Sequence, residues 1–271
     1  MELLSALGIR PGDCVAVVGA GGKTTLCWQL TQALVGRGER VIFTTTTKIR
    51  QPAMGAFDRL HIGPLTGFAL TLNAASAWRS ACIASAVAGV PDSTPVGEAG
   101  MPTVQTKLAG FAPEAICALK TQAQALRISI LVEADGARGL RIKAPGDDEP
   151  VIPNCADVVC VVANLDVIGQ PLDERVAHRV ERVARLTQTA TGSTITPTLF
   201  TALLSHPQGG LKGVPPSARK VVVLTQYDAD EPHPASSRIA AALCPGSFDR
   251  AVVIAPRASQ PILLRIGPSQ N

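Results

Sequence analysis

A doubly wound α/β fold, a mostly parallel sheet with helices on both faces, follows from three observations on this 271-residue sequence. Apolar runs rich in Val, Ile and Leu recur along the chain between turn residues. They are continuous rather than alternating, as strands covered on both faces should be. Segments of helical pattern separate them, and strand–helix alternation argues for parallel pairing through crossover helices. Strands are expected at 14–18, 40–44, 128–133, 157–163, 219–225 and 250–255, and helices at 24–36, 113–126, 173–187, 196–205 and 235–243. Ligands of such sheets lie beyond the carboxyl ends of the strands.

The first strand meets that rule at once. Val15-Ala16-Val17-Val18 runs into Gly19-Ala20-Gly21-Gly22-Lys23-Thr24-Thr25. Glycines let successive N–H groups turn toward phosphate oxygens, and a helix N-terminus adds free donors. Lys23 would reach the β- and γ-phosphates, and the Thr24 hydroxyl would ligate Mg²⁺. Val17 stands where the usual G-x-x-x-x-G-K-[ST] pattern has its first glycine, so only a shorter G-x-x-G-K-T-T form is met. That shorter loop is similar to the loop of the Mur ligases, which use ATP. The expected fold is therefore P-loop NTPase-like.

The second strand leads into Thr44-Thr45-Thr46-Thr47-Lys48. Four threonines suit a strand by propensity alone; alternatively, their hydroxyls and Lys48 face the γ-phosphate or Mg²⁺ from across the site. The third, Ile128-Ser129-Ile130-Leu131-Val132, ends in Glu133-Ala134-Asp135-Gly136. Acids at the end of an apolar strand form the Walker B arrangement, which binds Mg²⁺ directly or through water. Two positions apart, Glu133 and Asp135 share a face of a continuing strand. Asp135 with Thr24 is a candidate metal pair, Glu133 an alternative, and the other acid would orient a water or an acceptor.

Arg138 to Pro145 follow as a basic loop, either solvated or placed to bind an anion beside the transferring phosphoryl group. The strand at 219–225 leads to Thr225-Gln226-Tyr227-Asp228. Asp228 is in register with the Asp of an N-K-x-D guanine motif, but Thr and Gln replace its Asn and Lys, which leaves ATP and GTP both open.

Composition bounds the alternatives. The chain is 46% apolar and 17% charged, which marks a folded globular protein. Its length fits a single domain, with an insertion or lid expected at about 50–112. That interval reads as Gly- and Pro-bearing, with one Ala-rich helix and no continuous apolar strand. The net charge of +4 is spread without a dense cluster, which argues against nucleic acid and membrane surfaces as partners. The Ala-rich stretch from Phe68 to Val90 is interrupted by Asn73 and Arg79 and makes a poor membrane span. No signal peptide is expected, and the expected location is cytoplasmic.

Seven cysteines, at 14, 27, 82, 117, 155, 160 and 244, form no C-x-x-C pair and suggest no disulfide framework. Several lie in apolar runs, where a free thiol acts as a small hydrophobe, and Cys155 and Cys160 read as core residues. The four histidines give no metal-ligand spacing.

VVGAGGKTT, FTTTTKI, VEADGARGLRIKAP, DEPVIP, LDVIGQPL with His178-Arg179 after it, and HPQGGLKGVP occur in that order. Together they resemble the YqeC-type selenium-dependent hydroxylase accessory proteins, over about residues 12 to 228. The resemblance implies a P-loop NTPase that assists cofactor maturation of selenium-dependent molybdenum hydroxylases, with such a hydroxylase or a maturation protein as partner. By that resemblance the family's phosphate loop falls on Gly19 to Thr25, its threonine run on Thr44 to Lys48, its E-A-D-G on Glu133 to Gly136 and its K-A-P on Lys143 to Pro145, and a functional role for His178, which Arg179 follows, is implied. Asp148 stands where the family pattern leads one to expect histidine, and T-Q-Y-D departs from N-K-x-D.

Overall fold

A computed structural model describes residues 2–72, 78–89, 106–227, 231–255 and 262–267. The elements run α1 (Glu2–Leu7), β1 (Cys14–Gly19), α2 (Lys23–Gly36), β2 (Val41–Thr45), β3 (Lys48–Arg50), β4 (Arg59–Ile62) and α3 (Leu65–Ala69). Then come β5 (Ser80–Ala84), β6 (Ala86–Val87), β7 (Lys107–Ala109), α4 (Pro113–Ala125), β8 (Ser129–Glu133), β9 (Ile142–Lys143) and β10 (Val158–Asn164). The chain continues with β11 (Ala177–His178), α5 (Val180–Thr187), α6 (Pro197–Ser205), β12 (Arg219–Thr225), α7 (Ser236–Leu243), β13 (Arg250–Ile254) and β14 (Ile262–Ile266).

Nine strands form the central sheet in the order β14-β13-β12-β10-β1-β8-β2-β5-β4. Every pairing is parallel except β13 with β14. The mostly parallel, doubly wound architecture is the expected one. Along β1, Val15 and Val17 pack with α1 and α2, while Cys14, Ala16 and Val18 pack with the layer of α4, α5, α6 and α7. Both faces are covered, which is why the strand reads as a continuous apolar run. Each fully buried Val, Leu or Ile contributes about 1.5–3 kcal/mol relative to exposure.

Three expectations change. The 50–112 interval does hold a continuous buried strand: β5 lies inside the main sheet with β4 at its edge, while β3, β7 and β6 form a small separate sheet. Residues 73–77 and 90–105 lie outside the described residues. The helix expected over 173–187 begins only at Val180. Before it, the Asp173 carboxylate accepts the Arg175 N–H at 2.9 Å, β11 pairs with β9, and Arg179 takes a left-handed φ of 63°. Side-chain and strand bonding there win over the helical pattern. Finally, Cys155 is not a core thiol. It forms a disulfide with Cys117 of α4, with 5.6 Å between the Cα atoms.

Candidate functional site

β1 ends at Gly19 and α2 starts at Lys23, so three residues make the whole turn. Gly19, Gly21 and Gly22 have φ of 96°, 79° and 134°, a region that favours glycine. Space forbids a side chain as well. A Cβ on Gly21 would stand 2.6 Å from Asn164 Cβ and 2.7 Å from the Arg141 carbonyl oxygen. Buried Ala20 donates its N–H to Val162 at 2.9 Å. Thr225, at the end of β12, donates its hydroxyl to the Gly21 carbonyl at 2.5 Å and accepts from Asn164 Nδ2 at 3.3 Å.

The N–H groups of Gly21, Gly22, Lys23, Thr24 and Thr25 have no acceptor among the described residues. They ring the first turn of α2, where the helix dipole is positive. Thr24 and Thr25 are exposed, whereas Lys23 is buried. Its ammonium donates to the Gly19 carbonyl at 2.8 Å and lies 3.3 Å from Asp135 Oδ1 and 4.0 Å from Glu133 Oε1.

The two acids do different work. Glu133 pairs in register with Val17 and accepts the Thr24 hydroxyl at 2.9 Å. Burial raises its pKa, partly offset by the charge of Lys23 and the Thr24 hydrogen bond. Asp135 lies past the strand end, where its Oδ2 accepts the Gly19 N–H at 3.0 Å and meets Lys143 Nζ at 2.9 Å. Its Oδ1 makes no hydrogen bond, though Lys23 stands beside it. Asp135 thus ties the glycine turn to the β9 lysine.

From Lys143 the network runs outward. The ammonium also reaches the Gly136 carbonyl at 2.6 Å and Glu149 at 2.8 Å. Arg179 closes on the same Glu149 oxygen at 2.9 Å. Burial acts to raise the Glu149 pKa, but hydrogen bonds from Arg179 and Lys143 and their charges bring it down to about 2. Lys212, in the HPQGGLKGVP segment, donates to the Gly146 and Asp147 carbonyls and pins the loop that carries Glu149. Imidazole His178, half-buried on β11, has a lowered pKa from burial and from the nearby Arg179, Lys143 and Arg138 charges.

Other expected site residues separate. The hydroxyls of Thr44, Thr45 and Thr46 donate to the carbonyls of Ile83, Glu133 and Val151, so these three are engaged within the protein. Lys48 is exposed on β3. Gln226 turns inward and bridges the Glu231 carbonyl and the His233 N–H. Asp228 lies outside the described residues. Sequence reasoning missed Asn164 and read Thr225 only as the first residue of T-Q-Y-D; the signal of both is their position at the carboxyl ends of strands β10 and β12.

No group of three or more His, Cys, Asp or Glu side chains able to hold a metal occurs among the described residues. The Thr24 hydroxyl and Glu133 carboxylate are hard oxygen donors that fit Mg²⁺, which takes only one or two protein ligands when phosphates and water supply the rest. No described helix is long and apolar enough to cross a membrane.

A glycine turn, a lysine and two acids thus meet at the carboxyl edge of a doubly wound α/β sheet, the place where this class of protein binds its ligands. The chain belongs to the YqeC family, whose model, described as YqeC protein, matches residues 15–181. The protein described as "Uncharacterized protein YqeC" of Escherichia coli (strain K12) is 33% identical over 220 residues, covering 80% of this chain and 77% of that protein. No solved structure matches the chain.

Proposed function

We propose that this chain is a Mg²⁺-dependent nucleotide-binding protein and an NTPase. The observation that carries the reading is the run of five acceptor-free N–H groups from Gly21 to Thr25 around the Lys23 ammonium. A polyphosphate satisfies these donors together, and the helix dipole favours its charge. Lys23 leaves the Gly19 carbonyl to reach the phosphates. Thr24 and Glu133 hold Mg²⁺, which neutralises phosphate charge, whereas Asp135 acts as a positioning residue locked by Lys143 and the Gly19 N–H. Whether ATP or GTP is taken rests on the base, which the phosphate loop does not read.

Calorimetric titration of ATP and GTP with Mg²⁺, on wild type and Lys23→Ala, tests this. Binding of at least one nucleotide that disappears in the variant is expected. Absence of binding to wild type would sink the reading.

The proposed setting, maturation of selenium-dependent molybdenum hydroxylases, comes from the family resemblance. A hydroxylase that co-purifies more strongly with ATP or GTP than with diphosphate would support it, and a non-catalytic switch would give the same retention without turnover. A second reading has the chain activate a small acidic acceptor, as a ligase or kinase does. Arg141, whose carbonyl oxygen limits the space at Gly21, favours it, because it has no acidic partner among the described residues.

A further inference from the structure

We propose that Lys143 is a positioning residue for nucleotide binding, the counter-ion that stays on Asp135 when Lys23 moves to the phosphates. The inference rests on the nucleotide reading and adds to it what makes the release of Lys23 possible.

Asp135 stands between two ammonium groups. Lys143 Nζ lies 2.9 Å from its Oδ2 and Lys23 Nζ 3.3 Å from its Oδ1. The Asp135 and Lys143 side chains are each 1% exposed, so water does little to solvate this carboxylate. A buried carboxylate stripped of its cation is strongly destabilising. Were Lys23 its sole counter-ion, the move to a phosphate would leave such a charge behind. With Lys143 in place, Asp135 keeps an ammonium and the Gly19 N–H, at 3.0 Å, throughout.

The two lysines are held unequally, and that sets which of them moves. Lys143 donates to the Gly136 carbonyl at 2.6 Å and to Glu149 Oε2 at 2.8 Å, besides its ion pair with Asp135. Its three acceptors are as many as an ammonium has donors. Pairing of β9 with β11, which sets Lys143 beside His178, fixes its main chain, and Arg179 holds Glu149 in turn at 2.9 Å. Lys23 makes one hydrogen bond among the described residues, to the Gly19 carbonyl at 2.8 Å. Its contact with Asp135 Oδ1 is an ion pair without a hydrogen bond. Lys23 also opens α2, amid the N–H groups from Gly21 to Thr25 that have no acceptor among the described residues. The lysine with fewer ties is thus the one beside the free donors, and the saturated one is the fixed charge.

A double-mutant cycle separates this charge compensation from simple bracing of the loop. ATP and GTP are titrated with Mg²⁺ by calorimetry into wild type, Lys143→Met, Asp135→Asn and the double variant, with folding checked by urea unfolding. Lys143→Met is expected to weaken binding at least about tenfold, because an otherwise unpaired carboxylate then holds Lys23 back. Asp135→Asn removes that carboxylate, keeps an oxygen for the Gly19 N–H and is expected to bind. In its background, Lys143→Met is expected to change the affinity less than about threefold. Bracing through Gly136 and Glu149 gives the same loss in both backgrounds, and that result overturns the proposal. Unchanged binding by Lys143→Met, or lost binding by Asp135→Asn, overturns it too. If Lys143→Met alone does not fold, the double variant, which removes the pair as a unit, is held to the same limit against Asp135→Asn. Wild type that binds neither nucleotide is the separate failure of the nucleotide reading and removes this inference with it.

Discussion

Replacing Glu149 with Gln removes the one carboxylate that holds Lys143 and Arg179 together, at 2.8 and 2.9 Å. The folded-state pKa of this group is depressed from about 4.5 to about 2. A depressed carboxylate stabilises the fold above its unfolded value and loses that contribution as pH falls through the folded one. The window is therefore about pH 4.5 down to about 2. The full shift corresponds to about 3 kcal/mol at neutral pH. With the side chain 22% exposed, solvent screening reduces this to about 1–2 kcal/mol. Urea unfolding of wild type and Glu149→Gln at pH 7 and pH 3 reads it directly. The variant should be less stable by about 1–2 kcal/mol at pH 7, with the gap at least halved, to under about 1 kcal/mol, at pH 3. A gap that stays constant between the two pH values would refute the reasoning, because a loss independent of protonation is packing, not ion pairing.

Two further outcomes follow from other contacts. Thr24→Ala and Glu133→Gln should each reduce the Mg²⁺-dependent part of nucleotide affinity about tenfold or more while leaving the metal-free part, measured by calorimetry with and without Mg²⁺; an unchanged metal dependence in both would move the metal role to Asp135. Cys117→Ser/Cys155→Ser opens a cross-link of sequence separation 38 and should cost about 2–4 kcal/mol in urea unfolding, with wild type in reductant shifting to match. No shift with reductant would mean that the pair does not brace the fold.

Much of the fold was legible in the sequence because its inner strands are buried on both faces. β1, β8, β10, β12 and β13 each carry a continuous apolar run, and each was placed to within a residue or so. β5 escaped because Ser80-Ala81-Cys82-Ile83-Ala84 is short and built mostly of small residues, which carry little strand preference. Its burial comes from neighbours on β2 and β4, information that no local window holds. The start of α5 failed for a different reason: the apolar spacing continues through Asp173 to Arg179, but strand pairing between β11 and β9 overrides it.

At the site, Lys23, Thr24, Glu133 and Asp135 were readable because strand ends and glycines mark them. Their division of labour was not. Only the register of β8 on β1 sets Thr24 against Glu133, and only the fold of the 136–143 loop brings Lys143 to Asp135. The disulfide was hidden likewise, since Cys117 and Cys155 meet through the packing of α4 against the chain entering β10.

The threads that hold the glycine turn come from far along the chain. Thr24 is separated from Glu133 by 109 positions, and Gly21 from Thr225 by 204. During synthesis the turn emerges early, yet it lacks its acid until β8 has slipped between β1 and β2, and its brace until β12 is made. Closure over such distances is slow, so the loop stays unsupported while the intervening chain is made. Ligand capture would then follow the making of β12, as a built-in sign that the polypeptide has been assembled through that strand.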